Sequence, residues 1–68
     1  MQPHEERVVT EKNELDDKLV KLQDFIETNK IFQLLPKEDK ELLERQEVHM
    51  SDYSQVLSER IARFKVNV

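Results

Sequence analysis

The chain has 68 residues and contains neither cysteine nor glycine. Without cysteine, disulfide bonds and thiolate metal sites are excluded, which fits a reducing compartment. Without glycine, phosphate-binding loops, nucleophile elbows and dinucleotide-binding fingerprints are excluded as well. Tight hairpin turns use backbone angles that glycine adopts most readily, so its absence also opposes a sheet protein.

Long apolar runs are missing too, and the charge is biased toward acids. The chain carries 15 acidic against 11 basic residues, a net charge of −4. This balance opposes DNA binding, because non-specific binding depends on neutralising phosphates. No apolar run reaches the length of a membrane span, and no signal-peptide pattern opens the chain. We therefore expect a cytoplasmic protein that binds neither DNA nor membranes.

So short a chain forms one domain at most and buries a modest part of its surface. Proteins of this size usually need disulfides, a metal or oligomerisation for stability. His4 and His49 lie far apart in the sequence, and neither has ligand-like spacing around it. No metal or other cofactor is expected, which leaves oligomerisation as the predicted support.

The first predicted helix covers about residues 3–28. The fixed φ of Pro3 and its missing N–H suit the first position of a helix. An apolar stripe at helical spacing follows, and it thins midway along the helix. The helix is expected to end near Thr28 and Asn29, since asparagine tolerates the left-handed conformation in place of glycine.

Two further segments complete a predicted all-α fold of one domain, residues 1–68. Residues 31–35 are too apolar for a solvated linker and predict a short helical turn that caps one end of the core. A last helix is expected over about residues 36–65, beginning at Pro36. Because the connector is short, the long helices must be antiparallel neighbours. The expected unit is an antiparallel helical hairpin.

Each long helix also carries a second apolar flank. Val9 and Phe25 form one on the first helix, and Leu42 and Val56 form another on the last. A single hairpin cannot cover these flanks together with its main stripes. They predict that hairpins assemble into a helical oligomer.

A heptad pattern runs along the last helix, at Leu43, Gln46, Met50, Tyr53, Leu57, Arg60 and Phe64. Gln46 is expected to fix the register between helices, as polar core residues do. A core or interface position is favoured for the Tyr53 ring over stacking on a base. Arg60 cannot lose its charge on burial, so it needs a partner. Two partners fit equally well: an acid such as Glu5 or Glu6, or an anionic ligand.

Catalysis has little support. Asp16 and Asp17 are adjacent and point in different directions on a helix, whereas acid–base catalysis needs carboxylates that converge. Ser51, Ser54 and Ser58 lie on a polar face without a base at a suitable spacing. We expect no catalytic residues and no enzyme.

Basic side chains gather at the end of the last helix, where Arg60, Arg63 and Lys65 occur without an acid. In an antiparallel hairpin this end returns beside Arg7 and Lys12. The sequence therefore predicts a local cationic region on an acidic protein.

Residues 7–19 (RVVTEKNELDDKL), with the apolar positions that follow them, resemble a family of small tailed-phage proteins. The family is the anti-CBASS cyclic-oligonucleotide sponge. The second half fits through Phe32, Leu35, Leu42, Leu43, Gln46, Met50, Tyr53, Leu57, Arg60, Ile61 and Phe64. The resemblance covers about residues 7–64.

This resemblance implies a specific activity. Such sponges are helical hairpins assembled as homohexamers, each a trimer of dimers. They bind cyclic dinucleotides and, in separate pockets, cyclic trinucleotides, and they do not cleave them. In an infected bacterial host cell the effectors of CBASS immunity then never meet their messenger. Stoichiometric binding of this kind needs no catalytic residue.

The chain departs from the family pattern at the dinucleotide pocket. Members carry an aromatic early in the first helix, but the first aromatic here is Phe25, and Lys12 stands in the earlier stretch. Members also carry a lysine near the end of that helix, where this chain has Thr28 and Asn29, with Lys30 just beyond. The pocket is therefore lost, or its ligand preference is changed.

Thr28 and Arg60 match ligand contacts of the family, those for a trinucleotide. The resemblance implies that Arg60, with Arg63 or Arg7, holds phosphates, and that Thr28 and Asn29 contact bases or sugars. From the residues alone, ordinary helix termination is favoured for Thr28 and Asn29. The candidate ligand-binding residues are Arg7, Lys12, Thr28, Asn29, Tyr53, Arg60 and Arg63.

A second interpretation stays open at this point. The heptad pattern or a second apolar flank also suits a non-enzymatic protein–protein interaction module, a dimeric adaptor or inhibitor. That interpretation predicts an apolar groove and no affinity for anions.

Overall fold

The computed structural model describes residues 2–64, and within that range it holds three helices and no strand. The helices are α1 (Pro3–Thr28), α2 (Lys30–Leu34) and α3 (Lys37–Phe64). The predicted all-α class is confirmed, whereas the predicted helical position of Lys65 lies outside the described residues. The molecule is a rod of 51 × 15 × 14 Å. None of the three helices has the length and apolarity that a membrane span requires.

The start of α1 is stabilised by its own first turn. Pro3 occupies the beginning of the helix, and the Gln2 amide donates a 2.8 Å hydrogen bond to Oε1 of Glu5. Glu5 and Glu6 also place negative charge at the positive end of the helix dipole. The Glu5 carboxylate is therefore engaged in capping the beginning of α1.

Asn29 separates α1 from α2, and it does so in an extended conformation with φ −86° and ψ 127°. The left-handed conformation predicted for it is wrong. The physical reason is that Asn29 is also the N-cap of α2, where its Oδ1 accepts a 2.8 Å hydrogen bond from the Ile31 amide. N-cap residues take extended angles while their side chains bind the following amides.

Pro36 precedes α3 and does not belong to it. Its carbonyl oxygen accepts hydrogen bonds from the amides of Asp39 (3.0 Å) and Lys40 (3.1 Å), so it sits at the N-cap, and the helix begins at Lys37. Leu35 has φ −71° and ψ 151°, the extended geometry that a following proline imposes.

The core lies where α3 packs alongside α1. Leu57 is fully buried (0% exposed) and forms a cluster with Val8 and Leu15 of α1. Three half-buried side chains of α3 pack against this cluster: Met50, Ile61 and Phe64. The core is consequently narrow, one side chain deep between two helices.

The face of α3 that meets α1 differs from the predicted heptad pattern. Its line of buried and half-buried residues consists of Leu43, Glu47, Met50, Ser54, Leu57, Ile61 and Phe64, with half-buried Ser58 at its edge. Gln46, Tyr53 and Arg60, which the heptad pattern placed on this face, are exposed. The prediction is wrong at these three positions, because the next residue along the chain faces α1 in each case. Residues three and four positions along a helix lie on either side of the same line. In α3 the second residue of each such pair faces α1, and Ser54 does so through hydrogen bonds with Lys12 and Asp16.

Phe32 belongs to α2, and its side chain covers one end of the core. Its buried ring meets Phe25 edge-on, with centroids 6.0 Å apart, and Lys40 Nζ lies 5.8 Å from the Phe32 centroid. Its neighbours Ile31 and Leu34 remain 60% and 83% exposed. One aromatic side chain, rather than the whole apolar segment, caps the core.

Leu57→Ala should lower the free energy of unfolding by about 2–5 kcal/mol, because truncation of a fully buried leucine leaves a cavity. Leu34→Ala is the matched control, and it should change stability by no more than about 0.5 kcal/mol since its side chain is exposed. Urea titration followed by helical circular dichroism measures both. Equal effects of the two substitutions would contradict this packing.

Candidate functional site

The surface depressions described below are open grooves that do not enclose a ligand. The larger, of about 440 Å³, is lined by Pro3, Glu6, Arg7, Thr10, Glu11 and Glu14. All of these residues belong to α1, so the depression is a groove along one helix. Its three glutamates oppose an anionic ligand.

The second depression, of about 220 Å³, lies between α1 and α3. Its lining is Gln23, Glu47, Val48, Ser51 and Asp52. Two carboxylates again oppose an anion, and none of the predicted ligand-binding residues takes part. Within residues 2–64 no cluster of three metal-ligating side chains occurs either.

A polar network crosses between the helices near the middle of α1. Lys12 Nζ donates hydrogen bonds to Asp16 Oδ2 at 2.7 Å and to Ser54 Oγ at 3.0 Å. The Ser54 hydroxyl in turn donates to Asp16 Oδ1. We call Lys12, Asp16 and Ser54 the polar bridge. It occupies the position where the apolar stripe of α1 thins.

Sequence reasoning missed the role of Ser54, because it assigns this serine to a polar face of the helix. A usable signal was nevertheless present. Lys12 and Asp16 are four residues apart, so they share a helix face with the apolar stripe on both sides of them. A polar pair inside such a stripe predicts a small polar partner on the facing helix.

The polar bridge also holds Asp16 in its charged form. The hydrogen bond from Lys12, and after it the hydrogen bond from Ser54, lowers the pKa of Asp16 below its ordinary value of 3.8. Lys12 is consequently engaged in a structural contact. It would reach a ligand only by leaving Asp16.

The predicted cationic region lies at the end of the rod where α1 begins. Val8 packs in the cluster that Ile61 and Phe64 adjoin, so the neighbouring Arg7 shares this end with Arg60 and Arg63. The three guanidinium side chains belong to exposed residues. Guanidinium groups are suited to hold phosphates, but Arg7 shares its groove with Glu6 and Glu11, so this end of the rod is mixed in charge.

Arg60 does not have the acidic partner considered for it. Within residues 2–64 it forms no ion pair with Glu5 or Glu6, and Glu5 accepts a hydrogen bond from Gln2 instead. Because Arg60 is exposed, solvent satisfies its charge in the single chain. Tyr53 is 43% exposed, so its ring is not in the core of the chain.

Thr28 and Asn29 lie at the opposite end of the rod. Thr28 Oγ1 donates to the Asp24 carbonyl oxygen at 2.8 Å and to Asp24 Oδ1 at 3.3 Å, while Asn29 caps α2. With a rise of 1.5 Å per residue, Thr28 is about 30 Å from Arg7 along α1. One chain therefore cannot bring these residues and the arginines to one small ligand.

Ser54→Ala should destabilise the chain by about 0.5–1.5 kcal/mol, because Lys12 and Asp16 then lose their hydrogen-bond partner on α3 but keep each other and the solvent. Ser51→Ala is the control, since Ser51 is exposed on the same helix and alanine favours helix slightly. Chemical unfolding should show a loss for the first variant only. A neutral Ser54→Ala would contradict the role of the polar bridge.

Acidification should weaken the polar bridge. A carboxylate with a lowered folded pKa contributes stability above its ordinary value of 3.8, and this contribution is lost as the pH falls through the lowered value. The gap in Tm between the wild type and Asp16→Asn should thus narrow below about pH 4. Asp17→Asn should give a smaller gap at neutral pH, since its ion pair with Lys21 is exposed. Thermal scans across pH test this, and a gap that widens in acid would contradict it.

Comparison with known proteins shows the family of the chain. A profile described as Sequestin matches residues 2–63 of the 68. No curated protein and no solved structure matches significantly. The match covers nearly the same span as the resemblance to sequestering sponges drawn from the sequence, and that resemblance is confirmed. The chain belongs to the Sequestin family.

Proposed function

We propose that this chain is a phage anti-defence protein that sequesters cyclic oligonucleotide second messengers without cleaving them. Acting in the cytoplasm of an infected bacterial cell, it lowers the free concentration of cyclic di- or trinucleotides below the level that CBASS effectors need. The observation that carries this proposal is the family match over residues 2–63, whose name denotes sequestration.

Sequestration also explains what the site must do and what it need not do. A stoichiometric binder requires affinity for its ligand, with no group that stabilises a transition state. We therefore propose that the protein is not an enzyme. Its arginines hold charge and hydrogen-bond donors in place, and no proton or covalent bond has to be transferred.

The proposed working unit is a homo-oligomer of antiparallel hairpins, a hexamer built as a trimer of dimers. A narrow core supports this, because the exposed fractions of Leu42 (57%), Val56 (51%) and Tyr53 (43%) leave apolar area uncovered. The separation of Thr28 from the arginines supports it too. Residues at opposite ends of a rod can share a ligand only when two chains meet.

The residues take different parts in this proposal. Arg60 and Arg63, with Arg7 beside them, hold the phosphates by charge-assisted hydrogen bonds. Thr28 and Asn29 contact bases or sugars, through the Asn29 amide group and the oxygen lone pairs that their capping bonds leave free. Tyr53 supports the subunit interface. Lys12 contributes least, since it is engaged with Asp16.

The competing function is a dimeric adaptor or inhibitor that binds another protein. The exposed apolar side chains of α3 favour it to the same degree as they favour oligomerisation. The two functions differ in mass and in response to anions. An adaptor predicts a dimer whose melting temperature does not change with cyclic nucleotides.

Isothermal titration against a panel of cyclic di- and trinucleotides should give saturable binding to at least one of them. Light scattering on the same protein should give a mass of about six chains. Arg60→Gln should weaken that binding about tenfold or more at unchanged mass, because a charge-assisted contact to phosphate is lost. Arg45→Gln is the control, as Arg45 is exposed on the same helix outside the cationic end.

Linear dinucleotides provide the ligand control, since a sponge should prefer the cyclic form. The recovered ligand should be chemically intact after prolonged incubation. Absence of heat and of thermal stabilisation with every cyclic nucleotide would reject the sponge. Degradation of the ligand would reject sequestration without cleavage.

A further inference from the structure

α2 is joined to the two long helices by residues that are not helical. Asn29, before it, has φ −86° and ψ 127°, and Leu35, after it, has φ −71° and ψ 151°. Within residues 2–64 no hydrogen bond joins α2 to either long helix. The Ile31 amide donates to Asn29 Oδ1 at 2.8 Å. The Leu35 amide donates to the carbonyl oxygen of Phe32 at 3.1 Å, so the bonds around α2 are local.

α2 presents one buried side chain to the rest of the molecule. The Phe32 ring is 9% exposed, whereas the other four residues of the helix are exposed: Lys30, Ile31, Gln33 and Leu34. A helix of five residues is not stable by itself in water, because one turn of hydrogen bonds does not offset the cost of nucleation. The helical form of α2 therefore depends on the docking of Phe32.

The Phe32 ring lies between both long helices. It meets the Phe25 ring of α1 edge-on, with centroids 6.0 Å apart and planes at 78°. Lys40 Nζ of α3 lies 5.8 Å from the Phe32 centroid, within reach of a cation–π contact. We call Phe25, Phe32 and Lys40 the aromatic latch. These side-chain contacts form and break without any change in the backbone of α1 or α3.

The aromatic latch is separate from the core cluster. That cluster consists of Val8, Leu15 and Leu57, with Met50, Ile61 and Phe64 packed against it. Phe32 is buried but does not belong to the cluster, so the two buried groups are not continuous. Loss of the Phe32 contacts consequently leaves the cluster around Leu57 and the polar bridge in place.

We propose that the aromatic latch opens as a unit while α1 and α3 stay packed, and that α2 loses its helix whenever the latch opens. A short segment with few buried contacts beside a continuous core is the arrangement in which local opening costs less than global unfolding. The connector is long enough for this motion. Residues 29–36 reach about 28 Å when extended, whereas helices packed side by side have axes about 8–10 Å apart.

Opening changes the surface at one end of the rod. It uncovers the rings of Phe25 and Phe32 beside Ile31, which is already 60% exposed. It also breaks the hydrogen bond from the Ile31 amide to Asn29 Oδ1. The closed latch therefore fixes the direction of the Asn29 side chain, and the open latch releases it.

Latch opening requires no ligand, so it goes beyond the proposed function. It nevertheless acts on a candidate ligand contact. Thr28 keeps its hydrogen bonds to Asp24 in both states, because these bonds lie within α1. Under the proposed function the latch controls the Asn29 contact and leaves the Thr28 contact unchanged.

Native-state hydrogen exchange followed by NMR tests the opening in the wild type. After correction for intrinsic rates, the amides of Ile31 and Leu35 should exchange at least about 100-fold faster than that of Leu57, which only global unfolding exposes. Low urea should change the first two rates little and the Leu57 rate steeply, since opening exposes little surface. Equal protection of the three amides, with equal urea dependence, would overturn the proposal.

Substitution of the latch ring shows whether the two amides open together. Phe32→Ala should speed exchange at both Ile31 and Leu35 by about tenfold or more, because the only buried contact of α2 is lost. Leu34→Ala is the matched control in the same helix, since Leu34 is 83% exposed, and it should change both rates by no more than about twofold. If Phe32→Ala makes the Leu57 amide exchange as fast as the Leu35 amide, the latch is part of the core and the proposal fails.

Lys40→Gln is a milder variant that keeps the Phe32 ring and removes the cation–π contact alone. It should speed exchange at Ile31 and Leu35 about two- to fivefold. Lys37→Gln removes the same charge from an exposed residue near α2 whose Nζ lies 4.0 Å from Glu41, and it should change the rates by less than about twofold. Equal effects of the two lysine variants would exclude Lys40 from the latch. Exchange is measured without ligand, so failure here is distinct from failure of the proposed function.

Discussion

α1 and α3 share a single narrow strip of contact, in which Leu57 is enclosed and the polar bridge spans both helices. A helix that packs on one neighbour buries one stripe and leaves the rest outside. The choice of that stripe decides the exposure of every other side chain of α3. With Ser54 turned inward, the line that contains Tyr53 and Arg60 must face out, and the proposed functions of both residues follow from this orientation.

The helical class of this chain is a local property, and so it could be predicted. Absence of glycine, apolar periodicity and the prolines act within a few residues of where they occur. The face of α3 that packs on α1 could not be predicted in the same way, because periodicity alone suits Gln46 and Glu47 almost equally well as the inward residue. The decision depends on Lys12 and Asp16, which are distant in sequence and meet Ser54 only in the folded chain. Asn29 shows the same limit, since its conformation depends on the helix that follows it.

The candidate ligand site divides along similar lines. Sequence reasoning could place arginines near the end of a helix, and packing of Val8 near Ile61 and Phe64 brings Arg7 to the same end. Sequence reasoning did not show that Thr28 lies nearly a helix length from the arginines, because a resemblance names residues without giving the distance between them. Because of that distance, a small ligand can contact both Thr28 and the arginines only if they come from different chains. The proposed function therefore requires that chains combine before Thr28 and the arginines can meet one ligand.

The polar bridge has a further consequence for how the two helices are aligned along their axes. Apolar side chains repeat along both helices, so sliding α3 past α1 by one turn, about 5.4 Å, would still bring many of them into contact. The same slip would separate Ser54 from Lys12 and Asp16 and remove both hydrogen bonds between the helices. The polar bridge therefore favours the observed axial alignment of α1 and α3 over one that is shifted by a helical turn.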